Sequence, residues 1–250
     1  MEARRSCQEN PCYKEHSHDA LSIGAIDTGA ARLSGPFEGR LRLAQGDVVV
    51  IPEGQVHACN PYGGAWQYQM LHIDQLWAAS IMQSNTVDEL FDGIRVLRCP
   101  ALYRQVNELN DAVFADEAAD QLSNRLQALL SGLSMTSTVH LVPSETDSIM
   151  LSRLTPVLNR LRSDAANPAL DELASSVGMS RYQLIRAMRR ATGLSPLAWR
   201  QNTRIAQARR MLRNGLSIAE TAHELGFTDQ SHFHRVFRAY VSATPGDYRR

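Results

Sequence analysis

The sequence predicts a multidomain α+β protein: a small N-terminal β-barrel with trailing helices, then an all-α C-terminal half carrying tandem helix-turn-helix units. Three observations predict it. Residues 20–75 hold short β-favouring runs punctuated by Gly and Pro. Apolar spacing of three and four residues takes over from about residue 76. An imperfect repeat then recurs within the last hundred residues.

The barrel rests on LSIGAID, VVVIP and WQYQMLHI, separated by turn-rich pieces such as TGAARLSGPFEG, AQGD and NPYGG. Several short strands with such punctuation fit a small barrel or jelly roll. LYRQVNELNDAVF and AADQLSNRLQALLSGL follow, with Leu122, Leu126, Leu129 and Leu130 on one stripe. They read as two helices that pack on the barrel or against a second copy of the chain. STVHLVPSETDS has linker composition. The expected division is therefore a first domain over 1–131, a linker over 132–152 and a helical domain over 153–250.

The repeat aligns LDELASSVGMS, from Leu170, with IAETAHELGFT, from Ile218. Ala174 matches Ala222, Val177 matches Leu225, Gly178 matches Gly226 and Ser180 matches Thr228. In each copy a short helix ends at glycine, which tolerates the left-handed conformation, and Ser180 or Thr228 is placed to cap the next helix. The small alanine lets two helices cross closely. This is the physics of a helix-turn-helix, found at about 170–191 and again at about 218–240.

The helix after each turn has two unlike faces. Leu184, Ala187, Met188 and Ala191 form an inward stripe in the first, with Tyr182, Arg186 and Arg189 elsewhere. Phe233, Val236, Phe237 and Tyr240 do so in the second, with Ser231, His234, Arg235 and Arg238 outward. An apolar back and an Arg-rich front suit a DNA major groove, where arginine pairs with guanine and basic groups meet phosphates. LAWRQNTRIAQARRMLRNG is a helix joining the two units.

Charge agrees with this division. The chain is neutral overall, but residues 1–152 hold 10 basic and 19 acidic residues, whereas 153–250 hold 16 basic residues, all arginine, against 7 acidic. A basic second half points to a polyanionic partner. No run approaches 18 apolar residues, so no membrane span is expected. MEARRSCQENPCYKEHSHD lacks a signal-peptide core, so the expected location is the cytoplasm. Cys7, Cys12, Cys59 and Cys99 form neither a CxxC pair nor a disulfide framework and read as reduced thiols.

LASSVGMSRYQLIRAMRRATGLSPLAWR and RIAQARRMLRNGLSIAETAHELGFTDQSHFHRVFRAYVSATPGDYR resemble the DNA-binding domain of the AraC/XylS family of bacterial transcription regulators. The second unit, running into Pro245, Tyr248 and Arg249, is the most family-specific part. The resemblance implies seven helices, with both recognition helices entering successive major grooves of promoter DNA. Carried over by position, the contacts implied are Arg181, Tyr182, Ile185 and Arg186 in the first unit, and Gln230, Ser231, His234 and Arg235 in the second. Arg189 and Arg238 extend the two faces. Ile185 departs from a polar residue and would touch a thymine methyl or pack.

The N-terminal half resembles that family's cupin-like sensor domain through HSHDALSIGAIDTG and GDVVVIPEGQVHACNP. Metal-holding cupins use two histidines, a glutamate four residues on and a later histidine. His16, His18 and His57 fit the histidines, but the carboxylate position falls on Ser22, a poor ligand for a divalent ion. The favoured reading is an effector pocket of His16, His18, Ser22, His57, Trp66, Tyr68 and His72, with no metal and no cofactor. A structural hydrogen-bond network is one alternative, and a metal on His16, His18 and His57 is another.

No G-x-S-x-G elbow, phosphate-binding Gly-rich loop or H-E-x-x-H is present, so no catalytic residues are assigned and no enzyme is expected. The function implied is sequence-specific transcription regulation, as an activator under a small-molecule effector. The implied partners are double-stranded promoter DNA, the effector, RNA polymerase and a second copy of the chain. Two alternatives stand beside it: a metal-dependent cupin enzyme fused to a DNA-binding domain, and a DNA-binding regulator whose barrel only dimerises.

Overall fold

Strands buried on both faces run through the centre of the first half and set its layers. In the computed structural model, which describes residues 1–9, 13–36, 40–82, 90–144, 147–164, 166–241 and 243–248, nine strands are laid out. They are β1 (Glu2–Gln8), β2 (Leu21–Thr28), β3 (Ala30–Ser34), β4 (Leu41–Ala44), β5 (Asp47–Ile51), β6 (Ala58–Pro61), β7 (Trp66–Ile73), β8 (Gly93–Arg98) and β9 (Thr138–Pro143). A six-stranded sheet has the order β1-β7-β2-β5-β8-β9 and a three-stranded sheet the order β4-β3-β6. The described chain groups into two compact units, chiefly residues up to Ser144 and Glu145–Arg250, with Cys12–His16 and Val56–Ala58 grouped in the second.

β2 is buried on both faces from Leu21 to Ile26, as expected of a strand covered on two sides. Leu21, Ile23 and Ala25 join Val48, Val50, Leu71 and Ile73 in one core. That core is completed by Leu102, Val106 and Leu109 of α2 (Pro100–Phe114) and by Leu126, Leu129, Leu130 and Leu133 of α3 (Ala119–Met135). α1 (Gln75–Met82) adds Ala78. The other face of the sheet is set by register. Ser22 pairs with His72, Gly24 with Met70 and Ile26 with Tyr68, so these side chains share the face opposite the helices.

Two local features hold the strand ends. Asp47 is 1% exposed; its carboxylate accepts from the Ala44 backbone at 2.8 Å and pairs with Arg98 at 2.8 Å. Gly29 has φ +73, and a Cβ there would lie 2.3 Å from the Ala65 carbonyl oxygen. Only glycine serves where the chain is both left-handed and this close to another backbone.

Two expectations change. The proposed linker over 132–152 is not one: α3 runs to Met135, and β9 pairs antiparallel with β8. Its composition misled because β9 is an edge strand, paired on one side and largely exposed. The return to strand at β8 was hidden behind the helical pattern around it. Of the two places expected for the apolar stripes of α2 and α3, the barrel or a second copy, the structure takes the first: they lie in the core against the sheet. Phe114 and Met135 are the large apolar residues these two helices leave exposed, at 55% and 87%.

The second half follows the expected order with seven described helices: α4 (Ser148–Ser163), α5 (Leu170–Ser175), α6 (Arg181–Thr192), α7 (Pro196–Arg213), α8 (Ile218–Glu224), α9 (Gln230–Val241) and α10 (Pro245–Tyr248). Two cores form. Leu154, Val157, Leu161, Leu173, Leu184 and Met188 make the first; Ile205, Leu212, Phe233 and Phe237 centre the second. α7 contributes to the second core and reaches the first through Trp199. Arg200, 1% exposed, donates to the carbonyls of Leu161 at 2.8 Å and Ala166 at 3.0 Å, and also to that of Asp164, tying the α4–α5 loop to the connecting helix. Burial lowers its pKa from the ordinary value, and the three carbonyls supply the compensation a buried cation needs.

Candidate DNA interface and effector pocket

Each recognition helix starts at a built cap. Ser180 accepts from Gln183 N–H at 3.3 Å while the Gln183 side chain accepts from Ser180 N–H at 2.8 Å, a reciprocal capping box. Gly178 and Gly226 turn the chain with φ of 65° and 66°. In the second unit the cap is Asp229, not Thr228. Its carboxylate accepts from His232 N–H at 2.6 Å, while the Thr228 hydroxyl lies 3.0 Å from His232 Nδ1. The His232 backbone N–H, chief among several partners, holds the Asp229 pKa below the carboxylate range.

On α6, Leu184, Ala187, Met188 and Ala191 are buried, and Arg181, Tyr182, Arg186 and Arg189 are exposed. Tyr182 is 81% exposed, which no core role explains. Ile185 is half-buried at the edge of that face. Arg181 pairs with Asp171 at 2.9 Å, so its guanidinium is restrained by the helix before it. On α9, Phe233, Phe237, Tyr240 and Val241 are buried; Gln230, Ser231, Arg235 and Arg238 are exposed, and His234 is half-buried edge-on to Phe233.

Sequence reasoning missed two contributors. Arg153 of α4 and Arg190 join Arg186 and Arg189 around a groove of about 640 Å³ floored by Met150 and Met179. Arg190 is held by Asp147 at 3.4 Å. Only the basic excess of this half signalled them. Tyr248, part of the family-like signature, is structural: Arg209 Nε donates to its hydroxyl at 3.0 Å, and its ring packs edge-on against Phe237. Arg249 lies outside the described residues.

In the barrel, the residues expected to line one pocket divide into two groups. His72 Nδ1 is 2.9 Å from Ser22 Oγ, and its ring centre is 4.6 Å from that of His18. Trp66 and Tyr68 stack on each other at 4.3 Å on the same face of β7. Six residues separate Trp66 from His72, about 20 Å along a strand. Tyr68 and His72, the nearest members of the two groups, are four residues and about 13 Å apart along it. Trp66 is 2% exposed, and its indole Nε1 has no hydrogen-bond partner among the described residues.

The three histidines His16, His18 and His57 fall in different units: His16 and His57 in one, with ring centres 4.7 Å apart, and His18 in the other. Backbone pairing fixes each part by itself: His16 N–H donates to His57 O at 3.0 Å and His57 N–H to His16 O at 2.8 Å, while Gly54 N–H donates to His18 O at 3.0 Å. His16 and His57 are 5% and 2% exposed. The cysteines are free thiols at Cys7, Cys59 and Cys99, with Cys12 outside the described residues. Burial pushes the Cys59 thiol up to about 12.

Comparison with known proteins agrees with both halves. Residues 1–134 match the model of the AraC-like ligand binding domain, and residues 173–250 that of a helix-turn-helix domain. The transcriptional activator NphR of Rhodococcus sp is 35% identical over 138 residues, 55% of this chain but only 38% of NphR. The arabinose operon regulatory protein of Salmonella typhimurium is 24% identical over 217 residues, 82% of this chain and 74% of that protein. ToxT from Vibrio cholerae, 13% identical, shares the fold with a TM-score of 0.57 across 99% of this chain and 97% of its own. No described helix is long and apolar enough to cross a membrane. With the ligand-binding model covering more than half of its length and the helix-turn-helix model following, the chain belongs to the AraC/XylS family of transcription regulators.

Proposed function

We propose that this chain is a cytoplasmic, effector-controlled activator that reads promoter DNA with α6 and α9. The observation that carries the reading is the pair of recognition helices. Each is capped at its N-terminus, buried along an apolar stripe and exposed along a face bearing arginine. Arg181, Tyr182, Ile185, Arg186 and Arg189 contact one major groove; Gln230, Ser231, His234, Arg235 and Arg238 contact the next. Footprinting on the DNA upstream of its own gene and its neighbours tests this. Protection of two boxes about one helical turn apart is the expected result, and uniform weak protection would defeat it.

The barrel is the sensing half. His18, Ser22 and His72 form one end of its polar interior, and Trp66 with Tyr68 forms the other. The unpartnered Trp66 N–H would suit a ligand acceptor at that second end. A thermal-shift screen of amino acids, amines, sugars and aromatic acids tests the assignment, because a ligand of the folded state raises apparent stability. Contact with RNA polymerase and pairing with a second copy complete the activator reading. In-vitro transcription and sedimentation of the full chain test those two steps.

A further inference from the structure

The outward face of α6 carries an apolar strip that its arginines do not explain. We propose that Ile185, with Tyr182 beside it, selects the 5-methyl group of a thymine in the box that α6 enters. This assignment rests on α6 as a recognition helix and names a base that the helix selects.

Helix geometry puts the two side chains together. Tyr182 and Ile185 are three positions apart on α6, so they are neighbours on its surface. Arg186 and Arg189 continue the same face, away from the buried stripe of Leu184, Ala187, Met188 and Ala191. Neither apolar body serves the interior. Tyr182 is 81% exposed. Ile185 is half-buried, yet among the described residues it joins neither core of this half. Val177, Met179 and Trp199, also half-buried, pack against the first core, and Val236 packs against the second. Helix propensity gives no reason for Ile185 either, because a β-branched residue ranks below arginine, glutamine or lysine there.

The chemistry of the groove supplies one. Base edges in the major groove present ring acceptors, carbonyl acceptors, amino donors and one apolar group, the thymine 5-methyl. An aliphatic side chain finds an apolar partner only at thymine. At cytosine it would cover an amino donor without pairing it, which costs free energy. Tyr182 suits the adjoining place, since its ring is apolar while its hydroxyl stays hydrogen-bonded. α9 is built differently. Its exposed positions Gln230, Ser231, Arg235 and Arg238 are all polar. The two boxes are therefore read by unlike chemistry, methyl contact with arginine in the first and hydrogen bonds alone in the second.

The test uses the full-length protein and the operator that footprinting defines. The box of α6 is the one whose protection is lost in Arg186→Ala. Each thymine of both boxes is replaced in turn by deoxyuridine, which removes the methyl and keeps every hydrogen-bonding group. In the parent, at least one replacement in the α6 box should weaken binding about four-fold, the value of one buried methyl. Ile185→Ala should bind the thymine and uracil operators alike, and Ile185→Val should keep part of the difference. Replacements in the α9 box serve as the control, because their effects should be the same in parent and variant. Circular dichroism checks that each variant is folded, and the uracil series on the parent needs no variant at all. A parent indifferent to every methyl in the α6 box, or a methyl effect undiminished in Ile185→Ala, overturns the proposal. A specific footprint without a methyl effect defeats the thymine assignment alone, whereas uniform weak protection defeats the regulator reading and the assignment with it.

Discussion

Ser22 Oγ and His72 Nδ1 meet at 2.9 Å across the β2–β7 pair, both buried and directly opposite in register. The bond turns what looked like a missing ligand into a support for an imidazole. Replacing Ser22 with Ala removes it while keeping the backbone. The folded protein should lose about 1–3 kcal/mol, the cost of leaving a buried polar group short of a partner. Urea denaturation followed by circular dichroism measures this, and an unchanged midpoint would show that the bond contributes nothing.

The proposed DNA contacts divide between two helices. Arg186→Ala and Arg235→Ala should each cost about 1–3 kcal/mol in specific binding and relax preference at one box. Titration of labelled operator by the parent and both variants checks the size of the effect. If neither change alters the footprint, the recognition faces are assigned wrongly.

Arg200 is a structural cation in a basic domain. Its guanidinium satisfies three carbonyls, that of Leu161 in the last turn of α4 and those of Asp164 and Ala166 in the loop that follows. Arg200→Met keeps much of the volume and removes every one of those bonds. A loss of at least about 2 kcal/mol is expected, together with weaker DNA binding, because α5 loses its anchor. Equilibrium unfolding of the full chain reads the first effect and operator titration the second.

Asp229 gives the acid response a direction. Its pKa is depressed, chiefly by the His232 backbone N–H, so its stabilising effect is present above the unfolded value. That effect disappears as pH falls through the lower folded value. Asp229→Asn retains a capping side chain and cannot titrate. The variant should be close to the parent at pH 7 and show a shallower stability loss below about pH 4. Parallel pH melts of the two proteins decide it.

Two glycines with similar φ should behave differently. A Cβ at Gly29 meets the Ala65 carbonyl oxygen, whereas at Gly46, φ +84, it meets nothing within 4 Å. Gly46→Ala pays only the left-handed penalty of about 1–2 kcal/mol. Gly29→Ala adds a backbone clash and should cost clearly more. Thermal melts of the two variants provide the comparison.

The helical half was legible because its signals are local. Ser180 with Gln183, the glycines at 178 and 226, and the arginines opposite Leu184 and Phe233 all lie within a few turns of one another. Even there, the neighbouring Asp229 displaced Thr228 as cap, a choice between adjacent oxygen acceptors that spacing does not make. The barrel was less legible. β1 reads ARRSC, with no clean alternation, and becomes a strand because the β7 edge pairs with it. His16, His18 and His57 were recognisable by spacing. The approach of His18 to His72, and the separation of His72 from Trp66, depend on strand register, which one sequence without an alignment does not specify.

The connecting helix α7 has a consequence for the DNA rather than for the protein. Its 18 residues span about 27 Å as one rigid rod, with a different packed core toward each end. Two reading heads on such a rod cannot follow a change in promoter phase. Inserting one base pair between their boxes would rotate the second about 34° away from its helix, and five would place it on the far side of the duplex. The regulatory address of this protein is therefore a spacing as much as a sequence, and promoters that differ only in the length between the boxes should be invisible to it.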